Sequence, residues 1–456
     1  MRKTNQRASQ ASIEDFRERV AHSLGPSRAV LLNLIDVLAV GPRPASPVEV
    51  VLSQVWGYEW SSLYSALRRA GADLALTIED HDWLQQLRAA REQWLLKQGE
   101  PPPPRAELGD WRVRILDATN YDRPKTKTVE VGYVHGAAGM KPGHGLSLLS
   151  QRVGEGSWTL PLQIAWMPPQ CGVVSFGVAQ MECFVAEQGW EAEEVLAVDA
   201  QYTVAPFLRP VHQLGVSVLG RVRSNRCVYL PPEPYRGFGR PCVRGRKLKL
   251  NDQRTLPQPE LEREWELESG GRVAVSRWED VRLKQWPEQR LALYRVIEYR
   301  ADGKPRYLRP LWLVFLPMQE RLPTPQQAEA IYDERFSIEH SIRFMKGELG
   351  LTSGQFNGPE AEGRVQVWVE VVATAFWFLW ALRALASSQQ AGWPKWWRSR
   401  KLTPGAVRRL AAGLLLGLGW SKPQPKLRGK SLGRARGMKL KPRRRFRIYR
   451  QRRQAV

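Results

Sequence analysis

The sequence predicts an α/β chain with helical ends and a strand-rich middle, and three observations carry that expectation. In the first hundred residues, "PVEVVLSQVWGYEWSSLYSALRRAG" and "DHDWLQQLRAAREQWLLKQ" space their apolar residues at three- and four-residue steps, the period of an amphipathic helix. From Trp111 onward, short β-branched runs bounded by Gly, Pro or Asn alternate with helical stretches. From Cys227 to about Leu322, alternating patterns punctuated by Pro and Gly take over.

Each element follows in turn. The run "GEPPPPRAELGD" breaks the helical pattern and reads as a linker. "WRVRILDATN", "TVEVGYVHG" and "HGLSLLSQRV" predict consecutive strands. The helical "VVSFGVAQMECFVAEQGWEAE" leads into the strand "EVLAVDAQ", and the helix "YTVAPFLRPVHQLG" precedes the strand "VSVLGRVRSN". "GGRVAVSRWEDVRLKQW", "LALYRVIEYR" and "YLRPLWLVFLP" predict a strand-rich insertion ahead of a long helix around Tyr332. An apolar run from Val371, a Trp-rich "GWPKWWRSRKL", a helix "AVRRLAAGLLLGLGW" and a basic tail from Ser421 complete the chain. The expected divisions are a helical region 1–108, a core in two parts (109–226 and 326–390), a β-rich insertion 227–325 and a basic C-terminal region 391–456.

A formal charge of +24 invites a polyanionic partner, and its position is informative. Of the 69 Lys and Arg residues, 22 follow Glu370, whereas none of the 45 acidic residues does. The tail interleaves Arg443, Arg444 and Arg445 with Phe446 and Tyr449. Such a segment binds DNA by counterion release, with little sequence preference. Its plainer reading is a solvated arm, and arms of this kind often order on binding.

Cys171, Cys183, Cys227 and Cys242 have no C-x-x-C spacing, so a zinc ribbon is unsupported and a reduced, cytoplasmic chain is expected. The polar N-terminus gives no export signal. The run "VVATAFWFLWALRALA" is broken by Arg383 and falls short of the ~20 apolar residues of a membrane span, so a buried helix and no membrane are expected. The six histidines show no ligand spacing.

The stretch "YDERFSIEHSIRFMKGELG" carries the chemistry. At ~100° per residue, Tyr332, Arg335, Glu339 and Lys346 share an arc of about 60°, beside an apolar face of Ile331, Ile338, Ile342, Met345 and Leu349. That places the polar stripe at the margin of the core. Two cations and a tyrosine flanking one carboxylate suit a grip on phosphodiesters, while an ion-paired surface face is the competing reading. Asp117 and Asp199 each end an apolar strand, where α/β sheets present chemistry, although either could be a turn residue. With Glu339 they make three carboxylates, a donor set that suits Mg²⁺ or Mn²⁺.

These four helix residues match the Y-x2-R-x3-E-x6-K signature, spacing included, and "LDATN" and "VDAQY" are similar to the first and second Asp segments of one family. From Trp111 to Leu351 the chain resembles bacterial insertion-sequence transposases with a DDE catalytic core. The resemblance implies a ribonuclease H-like core with a β-rich insertion before the catalytic helix. It implies that Asp117, Asp199 and Glu339 bind two Mg²⁺ or Mn²⁺ ions, that Arg335 and Lys346 hold phosphates with Arg343 beside them, and that Tyr332 contacts the phosphate near the cleaved end. Trp278 and Trp286 fall where relatives stack a displaced base, though packing within a sheet is their simpler role. The implied activity is cleavage and strand transfer on double-stranded DNA, element ends and target, by a homodimer on DNA in a bacterial, nucleoid-associated setting. By layout alone, the N-terminal helical region is the expected reader of the element's ends. A non-catalytic DNA-binding descendant and a nuclease without strand transfer are the alternatives.

Overall fold

The computed structural model describes residues 2–25, 27–72, 82–99, 105–127, 129–136, 139–154, 156–235, 237, 240–358, 360–390, 401–417, 436–439, 442 and 444–449. Helices α1 (Arg2–Ser23), α2 (Arg28–Val40), α3 (Pro47–Val51), α4 (Trp60–Ala72) and α5 (Asp82–Lys97) precede strands β1 (Arg112–Asp122), β2 (Gly132–Gly136), β3 (Gly139–Arg152) and β4 (Thr159–Met167). Next come α6 (Val173–Gln188), β5 (Glu194–Val198), α7 (Ala205–Gln213) and β6 (Ser217–Val222). Strands β7 (Cys227–Tyr229), β8 (Lys247–Lys249), β9 (Leu261–Glu266), β10 (Arg272–Leu283), β11 (Trp286–Tyr299) and β12 (Leu311–Leu316) follow, then α8 (Pro325–Gly347), α9 (Ala361–Gln390) and α10 (Pro404–Gly417). The chain forms two compact units, one of Met1–Pro102, Ala118–Gly172 and Glu339–Val456, the other of Pro103–Asp117 and Val173–Ile338.

The first unit is built around α9. A helix apolar on every side belongs inside a core, and Trp368, Phe376, Trp377, Phe378 and Leu379 are fully buried. Helices α1, α2, α4 and α10 and strand β4 surround it. Its length and composition would suit a membrane span, yet 89% of its most apolar window is buried within the fold. Where α4 meets α9 the two backbones touch: a Cβ on Gly363 would lie 2.2 Å from the Gly71 carbonyl oxygen. Charge is buried here too. Arg88 donates to Glu370 Oε1 from Nε and Nη2 (3.0 and 2.8 Å), and Arg91 Nη2 donates to Glu370 Oε2 (3.2 Å) and Leu162 O (3.0 Å).

Two local readings of this unit differ from expectation. The helix expected through "PVEVVLSQVWGYEW" is interrupted between α3 and α4, because Asn33 holds that loop open: its Oδ1 accepts from Gly57 N (2.8 Å) and its Nδ2 donates to Val55 O (3.1 Å). Strand β4 was not legible, because Pro161 sits inside it. The β3–β4 register slips between Leu149 and Ser150, opposite Gln163 and Pro161, and a bulge of this kind tolerates a residue without an N–H.

His144, on β3, is buried between the rings of Tyr121 and Trp166, with centroids 5.8 and 5.3 Å away. Burial, reinforced by the Arg123 charge, pushes its pKa down to about 3. Between about pH 6.5 and that value the unfolded chain takes up a proton that the folded chain refuses. The contribution is therefore whole above pH 6.5 and is lost as pH falls, by on the order of a few kcal/mol. We expect His144→Phe, which cannot titrate, to keep more of its neutral-pH stability than the native chain at pH 4.5 in urea unfolding.

In the second unit, the first part of β1 pairs with β5, and β5 with β6, all parallel. Helices α6 and α7 lie on the connections into β5 and β6, since parallel neighbours need crossovers. Antiparallel pairing then extends the sheet through β12, β11 and β10, with β9 and β7 on β10 and β8 on β7. The result is a mixed α/β architecture.

Candidate active site

Strands β1 and β5 owe their place to apolar runs: Val113, Ile115 and Leu116 on one, and the wholly buried 194–198 on the other. Near-continuous apolar runs suit parallel strands covered on both faces. The two strands pair in register from Arg112↔Glu194 to Leu116↔Val198. Asp117 and Asp199 come next on each, so both half-buried residues lie side by side where the β1–β5 pairing ends, Asp199 just past β5 and Asp117 within β1, with a strand spacing of about 4.8 Å. The turn beyond Asp199 is latched. Tyr202 N donates to Asp199 O (3.0 Å), and the Thr203 hydroxyl donates to Arg221 O (2.6 Å). Gly220 makes room for that latch, since a Cβ there would lie 2.2 Å from Thr203 Cγ2.

Helix α8 starts with a reciprocal cap. Gln327 N donates to Thr324 Oγ1 (3.2 Å), and Thr324 N donates to Gln327 Oε1 (2.9 Å), with Pro325 as the first helical residue. Tyr294 of β11 anchors this start by donating to Pro323 O at 2.7 Å. The apolar face is buried as read, from Ile331 to Leu349. The polar stripe lies deeper than expected at its beginning: Tyr332 is 1% and Arg335 5% exposed. Arg335 Nη1 donates to Asp117 Oδ2 at 3.1 Å, and its guanidinium lies 4.9 Å from the Phe336 ring centroid and 5.5 Å from that of Tyr332. Burial raises the Tyr332 pKa, with Arg335 opposing and Asp199 reinforcing the shift.

The unit boundary falls between Ile338 and Glu339. Tyr332 and Arg335 thus belong with Asp117 and Asp199, whereas Glu339, Arg343 and Lys346 belong to the first unit. Glu339 and Arg343 are exposed. Lys346 is half-buried, and its Nζ donates to Asn120 O at 2.6 Å. Burial lowers its pKa, opposed by Asp122.

A cavity of about 930 Å³ opens beside Asp199 in the second unit, lined among others by Tyr332, Phe336, Arg221, Arg223 and Arg309. The three arginines were missed in the sequence. The first two alternate along "RVRSN" across the end of β6, and that two-residue alternation was the available signal. Glu329 also lines the cavity. Burial lifts its carboxyl to about pKa 7, against the pull of Arg105, whose Nη2 is 3.6 Å away. A raised folded pKa means stability that is complete below the unfolded value near 4.5 and is lost as pH rises through 7. Glu329→Gln should therefore match the native chain near pH 4 and exceed its stability at pH 8, by ~1–3 kcal/mol in chemical unfolding.

Trp278 and Trp286 are 2% and 5% exposed. Trp278 donates to Pro257 O (3.0 Å) and packs on Trp312, while Trp286 meets His212 edge-on and lies under Arg209. Both are built into the packing of the sheet. Arg444 and Arg445 are exposed, and Arg443 lies outside the described residues, as do 391–400 and 418–435 of the C-terminal region.

Among the described residues, no three His, Cys, Asp or Glu side chains are gathered closely enough to hold a metal ion. The charge of Asp117 is met by Arg335 instead. Asp117 and Asp199 nevertheless fit a divalent ion by chemistry, as adjacent half-buried oxygen donors where the β1–β5 pairing ends.

Comparison with known proteins adds two findings. A search of curated proteins returns no match. Among solved structures, a piggyBac transposase in a synaptic complex with hairpin DNA is similar at 10% sequence identity and a TM-score of 0.39, over 88% of this chain and 77% of that one. Residues 178–285, which include Asp199 and most of the strand-rich stretch up to β11, match the family model described as DDE superfamily endonuclease.

Proposed function

We propose that this chain is a DDE transposase that cuts DNA at the ends of an insertion sequence and joins the freed 3′ end to target DNA. The observation that carries this reading is the β1–β5 register that sets Asp117 beside Asp199, with Arg335 of α8 bonded to the first of them. The endonuclease family match over 178–285 supports it. Asp117 and Asp199, with Glu339, would hold two Mg²⁺ or Mn²⁺ ions, which when bound activate the attacking hydroxyl and offset charge on the leaving oxygen.

The chain's own residues do the rest. A guanidinium that serves a carboxylate at 3.1 Å is shaped to serve a phosphate oxygen in the same place, which supports a role for Arg335 on the scissile backbone. Tyr332 stays protonated at neutral pH, so its hydroxyl donates a hydrogen bond to phosphate rather than accepting a proton. Arg343 and Lys346 extend the grip along the strand. Two element ends must meet, so the working form is assigned as a homodimer on DNA.

Purified protein incubated with duplex carrying the element's own borders and Mg²⁺ should give nicks ending in 3′-hydroxyls and joined products on a second duplex. Nicks without joining would point to a ribonuclease H-like nuclease. No product with any divalent metal would leave a DNA-binding protein.

A further inference from the structure

We propose that the tail segment 444–449 and the loop after β1 together form a track for the phosphate backbone of duplex DNA on the first unit. This rests on the DNA-processing reading above and adds where, on the first unit, the duplex is held.

The loop is anchored underneath and cationic on top. Arg123 N donates to Pro142 O (2.7 Å), its buried guanidinium donates to Phe356 O and to Asn357 Oδ1, and Thr126 Oγ1 donates to Asn357 Oδ1 (3.0 Å). Val129 and Val131 are buried below, while Lys125 and Lys127 face solvent. The tail is stitched to this loop through its main chain: Phe446 N donates to Lys127 O (2.9 Å) and Tyr449 N to Val131 O (2.8 Å). The contacts are three residues apart on the tail and four on the loop, so the two segments run alongside each other in the same direction.

This arrangement leaves five exposed cations together: Lys125 and Lys127 from the loop, and Arg444, Arg445 and Arg447 from the tail. None of the five makes an ion pair among the described residues, and Arg444 lies over the Phe446 ring at 4.8 Å. The nearest acid on the loop, Glu130, accepts from Gln170. Free cations held in one place by backbone hydrogen bonds and a packed loop suit a polyanion of fixed spacing. A solvated arm would need neither the stitches nor the anchored loop.

The test separates charge from placement. Affinity for a random-sequence duplex of about 30 base pairs is measured by anisotropy without divalent metal, so cleavage plays no part and the catalytic reading stands or falls separately. The paired change Phe446→Pro and Tyr449→Pro keeps every charge and deletes the two donating N–H groups. The control pair, Phe446→Ala and Tyr449→Ala, removes the same rings and keeps the N–H groups. The proline pair should bind about tenfold more weakly than the alanine pair, because the ordering of the tail is lost. Removing all five cations should shrink the slope of log K against log salt by about 4.5, at ~0.9 per phosphate. A melting temperature equal to that of the native chain excludes unfolding as the cause. Equal affinity of the proline and alanine pairs, or a salt slope unmoved by removing the five charges, would overturn the proposal.

Discussion

Asp199→Ala should reduce metal-dependent DNA cleavage by ~10³-fold or more while changing DNA affinity only a few-fold. Charge stabilisation at a reacting phosphorus is worth several kcal/mol, and each 1.36 kcal/mol is a factor of ten in rate. Asp199 is the cleaner of the two aspartate positions. No described side chain makes an ion pair with it, so its loss leaves no stranded charge, whereas Asp117 is bonded to a guanidinium that is only 5% exposed. Asp117→Ala would strand Arg335 and confuse a folding defect with a catalytic one. Asp117→Asn retains an acceptor for Arg335 and removes the charge, so lost cleavage with an unchanged unfolding midpoint isolates the catalytic role. Glu339→Ala should abolish cleavage equally and cost little stability, as its side chain is exposed. Nicking at the native rate by Asp199→Ala would remove Asp199 from the reaction.

Glu370→Leu should destabilise the chain by ~3–5 kcal/mol, the largest single effect on stability we expect. Glu370 is completely buried and bonded to two guanidiniums, themselves 6% and 1% exposed. Removing the carboxylate deprives two desolvated positive charges of the acid to which both are bonded. Thr374 Oγ1 (3.1 Å) and the Leu162 carbonyl serve Arg91 but carry no charge. A typical domain is stable by only ~5–15 kcal/mol, so much of the margin would go. Replacing Arg88 and Arg91 by Met in the same variant should restore most of it, because an all-apolar triad carries no uncompensated charge. Urea unfolding of the single and triple variants measures both steps, and an unaltered midpoint in Glu370→Leu would show that the triad contributes nothing.

What was legible in the sequence was periodic or local. The runs of β1, β5 and β6 announced strands, α8 showed its apolar face from Ile331 to Leu349, and the run within α9 announced a buried helix. The pairing was not legible. Asp117 stands beside Asp199 because Leu116 is in register with Val198, and register between strands so distant in sequence leaves no mark on either. The same holds for Arg335: spacing along α8 put it near Glu339, whereas its partner comes from 218 residues away. Trp278 and Trp286 could not be sorted between ligand face and packing from composition, because burial is decided by β11, β12 and α7 together. The arginines of the cavity stayed hidden because their shared location arises only when the β6 end and the β11–β12 turn come together.

The glycine-to-glycine approach of α4 and α9 bears on how the polypeptide emerges from the ribosome. Helices α1, α2 and α4 are made well before α9, the segment they wrap. At ~5–20 residues per second they wait on the order of tens of seconds with their inward faces uncovered. A nascent chain halted before Ala361 should therefore be held by chaperones or cleaved by proteases, and the N-terminal hundred residues expressed by themselves should not yield a folded module.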